Sequence, residues 1–209
     1  LRSNIKFVIP SEEKHPVILV TSSINGEGKS YVATNLAISL TLLGKRVALV
    51  GLDIRKPMLA KYLNLPSNGC LTSYLADDAY SVDDLIVKSE FSNLDILPSG
   101  VIPPNPNELL QGERLDQLFA ELRQRYDYVI VDSAPVALVG DSYLLNRLVD
   151  MTIFVTRANY TTTELIEFIN QTHMQQRLPK MVAVLNGVDA KKIGYGYGYG
   201  YGNSTKNKK

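Results

Sequence analysis

Short apolar runs recur at Val17–Val20, Val47–Val50, Leu94–Leu97, Tyr128–Val131, Ile153–Val155 and Val182–Leu185, and helix-period segments separate most of them. Runs of this length predict strands. Strands that alternate with helices predict an α/β fold, a mostly parallel sheet covered by helices on both faces, whose ligands gather beyond the carboxyl ends of the strands. The first run leads into Ser22-Ser23-Ile24-Asn25-Gly26-Glu27-Gly28-Lys29-Ser30, and then Val32, Ala33, Leu36, Ala37, Leu40 and Leu43 follow at helical spacing.

A strand, a glycine-rich turn and a helix in that order form a phosphate-binding loop. The glycines let backbone N–H groups close around phosphate, the helix N-terminus adds its dipole, and Lys29 and Ser30 reach the terminal phosphates and Mg²⁺. The nucleotide contacts expected from this segment are Asn25, Gly26, Glu27, Gly28, Lys29, Ser30 and Tyr31. Ser23 stands where the general motif has its first glycine, so the context carries the assignment rather than the pattern alone.

Phosphoryl chemistry also needs carboxylates at neighbouring strand ends. Asp53 follows Val47–Gly51, and Asp132 follows Tyr128–Val131 in a segment that reads as a Walker B motif. Together with Ser30 they are the expected Mg²⁺ ligands, and with Lys29 the expected catalytic set. Asp141 opens a helical segment, and helix N-cap is its favoured role over direct catalysis. Asn186 ends the last apolar run, where its amide could meet the nucleotide base; a tight Asn-Gly turn explains the pair nearly as well. Pro98–Pro106 is too proline-rich for a helix or central strand and predicts a surface loop leading into a helix over Asn107–Arg125.

The 209 residues carry 22 basic and 21 acidic side chains, a net charge of +1, which offers no general attraction for nucleic acid. The single cysteine, Cys70, rules out an intrachain disulfide and reads as inert. His15 and His173 lack neighbours at metal-ligand spacing, so no zinc site is expected. No apolar run reaches the roughly 18 residues of a membrane-spanning helix. The chain opens mid-pattern at Leu1–Phe7 without Met, which reads as a cut through a helix of something longer.

After Val188 the core pattern stops, and Gly194–Gly202 places Tyr195, Tyr197, Tyr199 and Tyr201 in strict alternation with glycine. Glycine at every second position prevents a stable helix and disfavours a buried strand. The expected organisation is therefore one phosphate-loop domain over 1–188 and a flexible tyrosine-rich tail over 189–209. Taken alone, such a tail is a low-complexity end.

Joined to the rest, the chain resembles the bacterial tyrosine kinases that control capsule and exopolysaccharide production. Thr21–Ser30 is similar to their Walker A, Val47–Pro57 to their Walker A′, Tyr126–Pro135 to their Walker B, Leu97–Gly100 with Pro103–Leu110 to a characteristic segment, and the tyrosine cluster to their C-terminus. The resemblance implies a P-loop NTPase fold and an autokinase that uses ATP and Mg²⁺ to phosphorylate Tyr195, Tyr197, Tyr199 and Tyr201. It implies a cytoplasmic domain at the inner face of the bacterial plasma membrane, with an activator that is fused or separate, and with the polysaccharide export machinery as partner. It also implies a ring-like homo-oligomer with each tail in a neighbour's site, supported by an N-terminal E-x-x-R-x-x-R helix of which Arg2 would be the last arginine.

One departure concerns chemistry. The family's Walker A′ carries D-x-D-x-R, its first aspartate implicated in deprotonating the acceptor, whereas here the residues are Gly51-Leu52-Asp53-Ile54-Arg55. Asp53 is then expected to serve both metal and acceptor hydroxyl. Two other classes compete with the kinase. A partition or division-site ATPase would carry a lysine at the position of Ile24; a catalytically weak scaffold would find its support in Gly51.

Overall fold

The computed structural model describes residues 14–65 and 70–189. Its core is a seven-stranded sheet: β1 (Val17–Ser22), β2 (Val47–Gly51), β3 (Val87–Lys88), β4 (Leu94–Leu97), β5 (Tyr128–Asp132), β6 (Met151–Arg157) and β7 (Met181–Asn186), in the order β3-β4-β2-β5-β1-β6-β7. Every pairing is parallel except β3 with β4. All six expected strands are present. The two-residue edge strand β3 is too short to leave a hydrophobic period.

The central strands are uniformly apolar because both of their faces are covered. On one face, Ile18, Val20, Val47, Leu49, Ile130 and Ile153 pack against Val32, Ala33, Leu36, Ala37 and Leu40 of helix α1 (Lys29–Thr41). The alternate residues Val17, Leu19, Ala48, Val50, Val129 and Val131 face the other core. There they meet the short helix α3 (Leu71–Ala76), which contributes Leu71, Tyr74 and Leu75, while Leu59 of the one-turn helix α2 (Leu59–Tyr62) lies in the first core. Two further helices, α4 (Pro106–Gln111) and α5 (Glu113–Arg125), join that layer, with Leu115, Leu118, Phe119 and Leu122 as its α5 contacts, and Ile169 of the helix Thr163–Met174 packs there too. Helices α4 and α5 replace the single helix expected over Asn107–Arg125. Gly112, at φ −67° and ψ 148°, is extended and breaks it.

The chain leaves β1 for β2, two places away, and β5 later fills the gap, while β6 and β7 build out on the other side. That reversal opens a crevice at the carboxyl end of β1, the place where such sheets bind ligands. The phosphate loop lies there. Cys70 is buried immediately ahead of α3, and His15 Nδ1 lies 2.8 Å from the Tyr126 carbonyl oxygen. The segment Leu1–Phe7 with Arg2, and the tail with Tyr195, Tyr197, Tyr199 and Tyr201, lie outside the described residues.

Candidate active site

The loop between β1 and α1 turns through two left-handed residues, Gly26 at φ +89° and Gly28 at φ +98°. A Cβ at Gly26 would stand 2.8 Å from the Tyr160 hydroxyl oxygen, and one at Gly28 would stand 2.1 Å from Asn186 Nδ2. Both positions therefore demand glycine on conformation and on space. Gly28 is the N-cap of α1 and offers no capping side chain. The first amides of the helix are left for an external acceptor, the arrangement that makes a helix N-terminus an anion site.

Three charges meet beside it. Lys29 Nζ lies 3.4 Å from Asp53 Oδ2, and both side chains are almost fully buried. Asp53 Oδ1 accepts a hydrogen bond from the Lys56 N–H at 2.9 Å, which fixes the carboxylate, but Oδ2 has no hydrogen-bond partner. Asp132, the last residue of β5, lies opposite Gly51 of β2; its Oδ1 is likewise buried and without a hydrogen-bond partner. Burial pushes the Asp132 carboxyl up to about 6, opposed by the Lys29 charge and a hydrogen bond with the Ser30 side chain and reinforced by repulsion from Asp53.

Buried carboxylate oxygens left unpaired beside an ammonium cost free energy unless something else completes them. A hard cation fits this donor set, two carboxylates and the Ser30 hydroxyl, because Mg²⁺ takes few protein oxygens and fills its remaining positions from water and phosphate. A cleft of about 280 Å³ opens at Lys29 and Ser30, lined also by Asn25, Gly26, Gly28 and Tyr31 from the loop side and by Lys56, Met58 and Tyr62 from the far side. A larger hollow, about 450 Å³, lies at the amino end of the sheet around Arg46, Lys88 and Arg125. Its cations are already paired, with Asp127, Asp95 and Asp83 respectively, so it has no unneutralised group to offer.

Comparison with known proteins places this constellation. Residues 15–181 match the family described as AAA domain. The tyrosine-protein kinase YwqD of Bacillus subtilis is 33% identical over 187 residues, which cover 90% of this chain and 78% of that protein. The chain belongs to the bacterial tyrosine kinases. The kinase domain of Escherichia coli tyrosine kinase ETK superposes with a TM-score of 0.82 at 28% identity, covering 96% of this chain and 77% of that one. The septum site-determining protein MinD from Pyrococcus horikoshii, at TM-score 0.67 and 22% identity over 82% of this chain and 70% of its own, shares the fold.

Several features of this tyrosine kinase could not be read from its sequence. Asp141 does not cap a helix: Gly140 is the N-cap of α6 (Asp141–Leu144), and the Asp141 carboxylate is held in a fork by Arg55, with Nε to Oδ2 at 2.6 Å and Nη2 to Oδ1 at 3.1 Å. Charge-assisted pairing with a nearby guanidinium outweighs capping of a one-turn helix. Arg55 also donates to Asn107 Oδ1 at 2.7 Å, so it ties the segment after β2 to the start of α4 and to the segment after β5.

Gly51 faces a filled space. A Cβ there would stand 2.8 Å from Ser99 Oγ, 3.2 Å from Ser99 N and 3.3 Å from Leu59 Cδ2. Ser99, which is buried, thus occupies the room that a side chain at 51 would need. Glu27 is completely buried, with its carboxylate turned back to accept the Ile24 N–H at 2.9 Å. It can serve a phosphate only through its backbone. Asn186 donates its amide to the Glu27 carbonyl oxygen at 3.0 Å, so the β7 end touches the loop itself. Tyr31 is half exposed at the cleft mouth. Arg157, at the carboxyl end of β6, was open to the same strand-end logic as Asp53 and Asp132 and was missed; Tyr160 and Thr161 carry no comparable signal.

Proposed function

We propose that this kinase domain, residues 1–188, transfers the γ-phosphoryl group of ATP to Tyr195, Tyr197, Tyr199 and Tyr201 of the 189–209 tail, on a neighbouring copy within a ring-like homo-oligomer. The observation that carries this reading is the convergence of the Lys29 ammonium and two carboxylates, each with an unpartnered buried oxygen, on a phosphate loop at the carboxyl end of the sheet. Asn25, Gly26, Glu27, Gly28, Lys29, Ser30 and Tyr31 line the nucleotide, with Asn186 beside them. Ser30, Asp53 and Asp132 would hold Mg²⁺, which when bound neutralises charge on the phosphates.

In the transfer, the phenol oxygen forms a bond to the γ-phosphorus while the bridging bond to the β-phosphate breaks and ADP departs. Lys29 offsets the charge that builds on the non-bridging oxygens. Asp53 accepts the phenolic proton, since position 51 supplies no carboxylate. Positioning and charge neutralisation dominate in a loose transition state, which supports activity with one carboxylate fewer.

The domain is assigned to the cytoplasmic face of the bacterial plasma membrane, with a fused or separate membrane activator and the capsule or exopolysaccharide export machinery as partners. Among the described residues no helix is long and apolar enough to cross a membrane. The test is incubation with ATP and Mg²⁺ followed by intact mass. Steps of about 80 Da per phosphoryl group that map to the four tail tyrosines are expected. ADP release without added mass would replace the kinase reading by an ATPase switch, and neither product would leave a scaffold.

A further inference from the structure

The phosphate loop is held from behind by side chains that take no part in the transfer step above. Three consecutive loop carbonyls each accept a side-chain hydrogen bond from the β6–β7 side of the sheet. Tyr160 donates its hydroxyl to Asn25 O at 3.0 Å, Arg157 Nη1 donates to Gly26 O at 2.8 Å, and Asn186 Nδ2 donates to Glu27 O at 3.0 Å. A trans peptide is planar, with its N–H opposed to its C=O. Carbonyls pulled towards β6 and β7 therefore turn the N–H groups of Gly26, Glu27 and Gly28 the other way.

The donors are themselves fixed. The Arg157 guanidinium lies 5.3 Å over the Tyr160 ring, and its stem crosses Gly187, where a Cβ would meet Arg157 Cγ at 3.3 Å. Thr161 accepts the Arg157 N–H at 2.8 Å and donates a short hydrogen bond to the buried Glu27 carboxylate, which also accepts the Ile24 N–H. Glu27 thus links both sides of the loop to the segment that follows β6, and its charge faces away from the anion site.

We propose that Arg157, Tyr160 and Asn186 are positioning residues that aim the amides of Gly26, Glu27 and Gly28 at a bound polyphosphate, with the Thr161–Glu27 hydrogen bond locking the loop in that orientation. This rests on the nucleotide-binding part of the function proposed above and not on tyrosine transfer. The ligand portion recognised is the diphosphate, irrespective of base.

Mg²⁺-dependent binding of ADP and of inorganic pyrophosphate, by calorimetry on the full chain, tests it. Thr161→Val removes the lock and keeps the shape of the side chain, and it should weaken both ligands by the same factor, about tenfold or more. Thr161→Ser should restore affinity to within about threefold. Hydrogen exchange in the ligand-free protein should accelerate at loop amides while β1 amides stay protected. Tyr160→Phe deletes one half-exposed hydroxyl and should lower both affinities in step by a smaller factor, so it serves if Thr161→Val fails to fold. Unchanged pyrophosphate binding in the folded variants, a loss confined to ADP, failure of Thr161→Ser to rescue, or equal acceleration of β1 exchange would overturn the proposal. Variants that lose pyrophosphate as expected in a protein that never labels tyrosine would sink the kinase reading and leave this inference standing.

Discussion

The two ends of one sheet treat charge in opposite ways. At the amino end, Arg46 pairs with Asp127, Lys88 with Asp95 and Arg123 with Asp150, and the Tyr126 hydroxyl completes Asp95 at 2.7 Å. At the carboxyl end, Asp53 and Asp132 are more deeply buried, yet each keeps an oxygen without a hydrogen-bond partner, and Lys29 stands off at 3.4 Å. The first end is finished by the chain itself. At the second, Arg55 completes Asp141 but Asp53 and Asp132 are finished by what the site binds, and an unfinished buried charge is a source of instability in the absence of ligand. Stability and function should therefore respond in opposite senses at the two ends.

The largest effect should come from Lys29→Met, which deletes the cation paired with Asp53 beside the phosphate loop. Tail phosphorylation, followed by intact mass, should fall at least about a thousandfold. Labelling at near parental rate would place the site elsewhere.

Asp132→Asn and Asp53→Asn should each lower Mg²⁺-dependent activity on the order of a hundredfold, since a hard cation prefers anionic oxygen. The Asp132 substitution should also stabilise the ligand-free protein. An acid whose pKa is raised on folding contributes stability that is fully present below its unfolded value, 3.8, and is lost as pH climbs through about 6. Asparagine escapes that loss, so the nucleotide- and Mg²⁺-free variant should exceed the parent by on the order of 1–3 kcal/mol at pH 7.5 and match it near pH 4. Thermal melts at the two pH values decide it, and equal melting at both would show that the carboxylate is not strained.

Gly51→Asp would add the carboxylate that the family's Walker A′ carries, but the Cβ contact with Ser99 Oγ predicts a strained and less stable protein. Unfolding free energy should drop by about 1–3 kcal/mol, and Ser99→Ala in the same chain should recover much of it. The double variant is then the fair trial of whether a second carboxylate speeds transfer; full stability of the single variant would remove the steric argument. The smallest effect belongs to the amino end, where Arg46→Ala breaks an exposed pair and should cost under about 1 kcal/mol with labelling unchanged.

The sheet was legible because β1, β2, β5 and β6 are covered on both faces and so write apolar runs, with β4 interrupted only by Asp95, and the glycine loop was legible because its strand and helix flank it. What escaped depends on partners distant in sequence. Nothing near Asp141 announces Arg55, 86 residues away, and so the local N-cap rule was applied where a distant guanidinium prevails. Gly51 read as a missing base, whereas only the fold reveals that Ser99 fills its space. Gly112 was absorbed into one long helix because the apolar period runs through it; its extended backbone is a tertiary choice.

Asn186 is both the tip of an edge strand and the support of the Glu27 carbonyl. Among the described residues β7 has β6 as its one neighbour in the sheet, and it is only partly covered, so it ranks among the strands that open most readily. Opening of that strand and slackening of the phosphate loop then become one event rather than two. A bound polyphosphate, by holding the loop, raises the free energy of fraying at a sheet edge it does not touch. Amide exchange along β7 would therefore report occupancy of the nucleotide site.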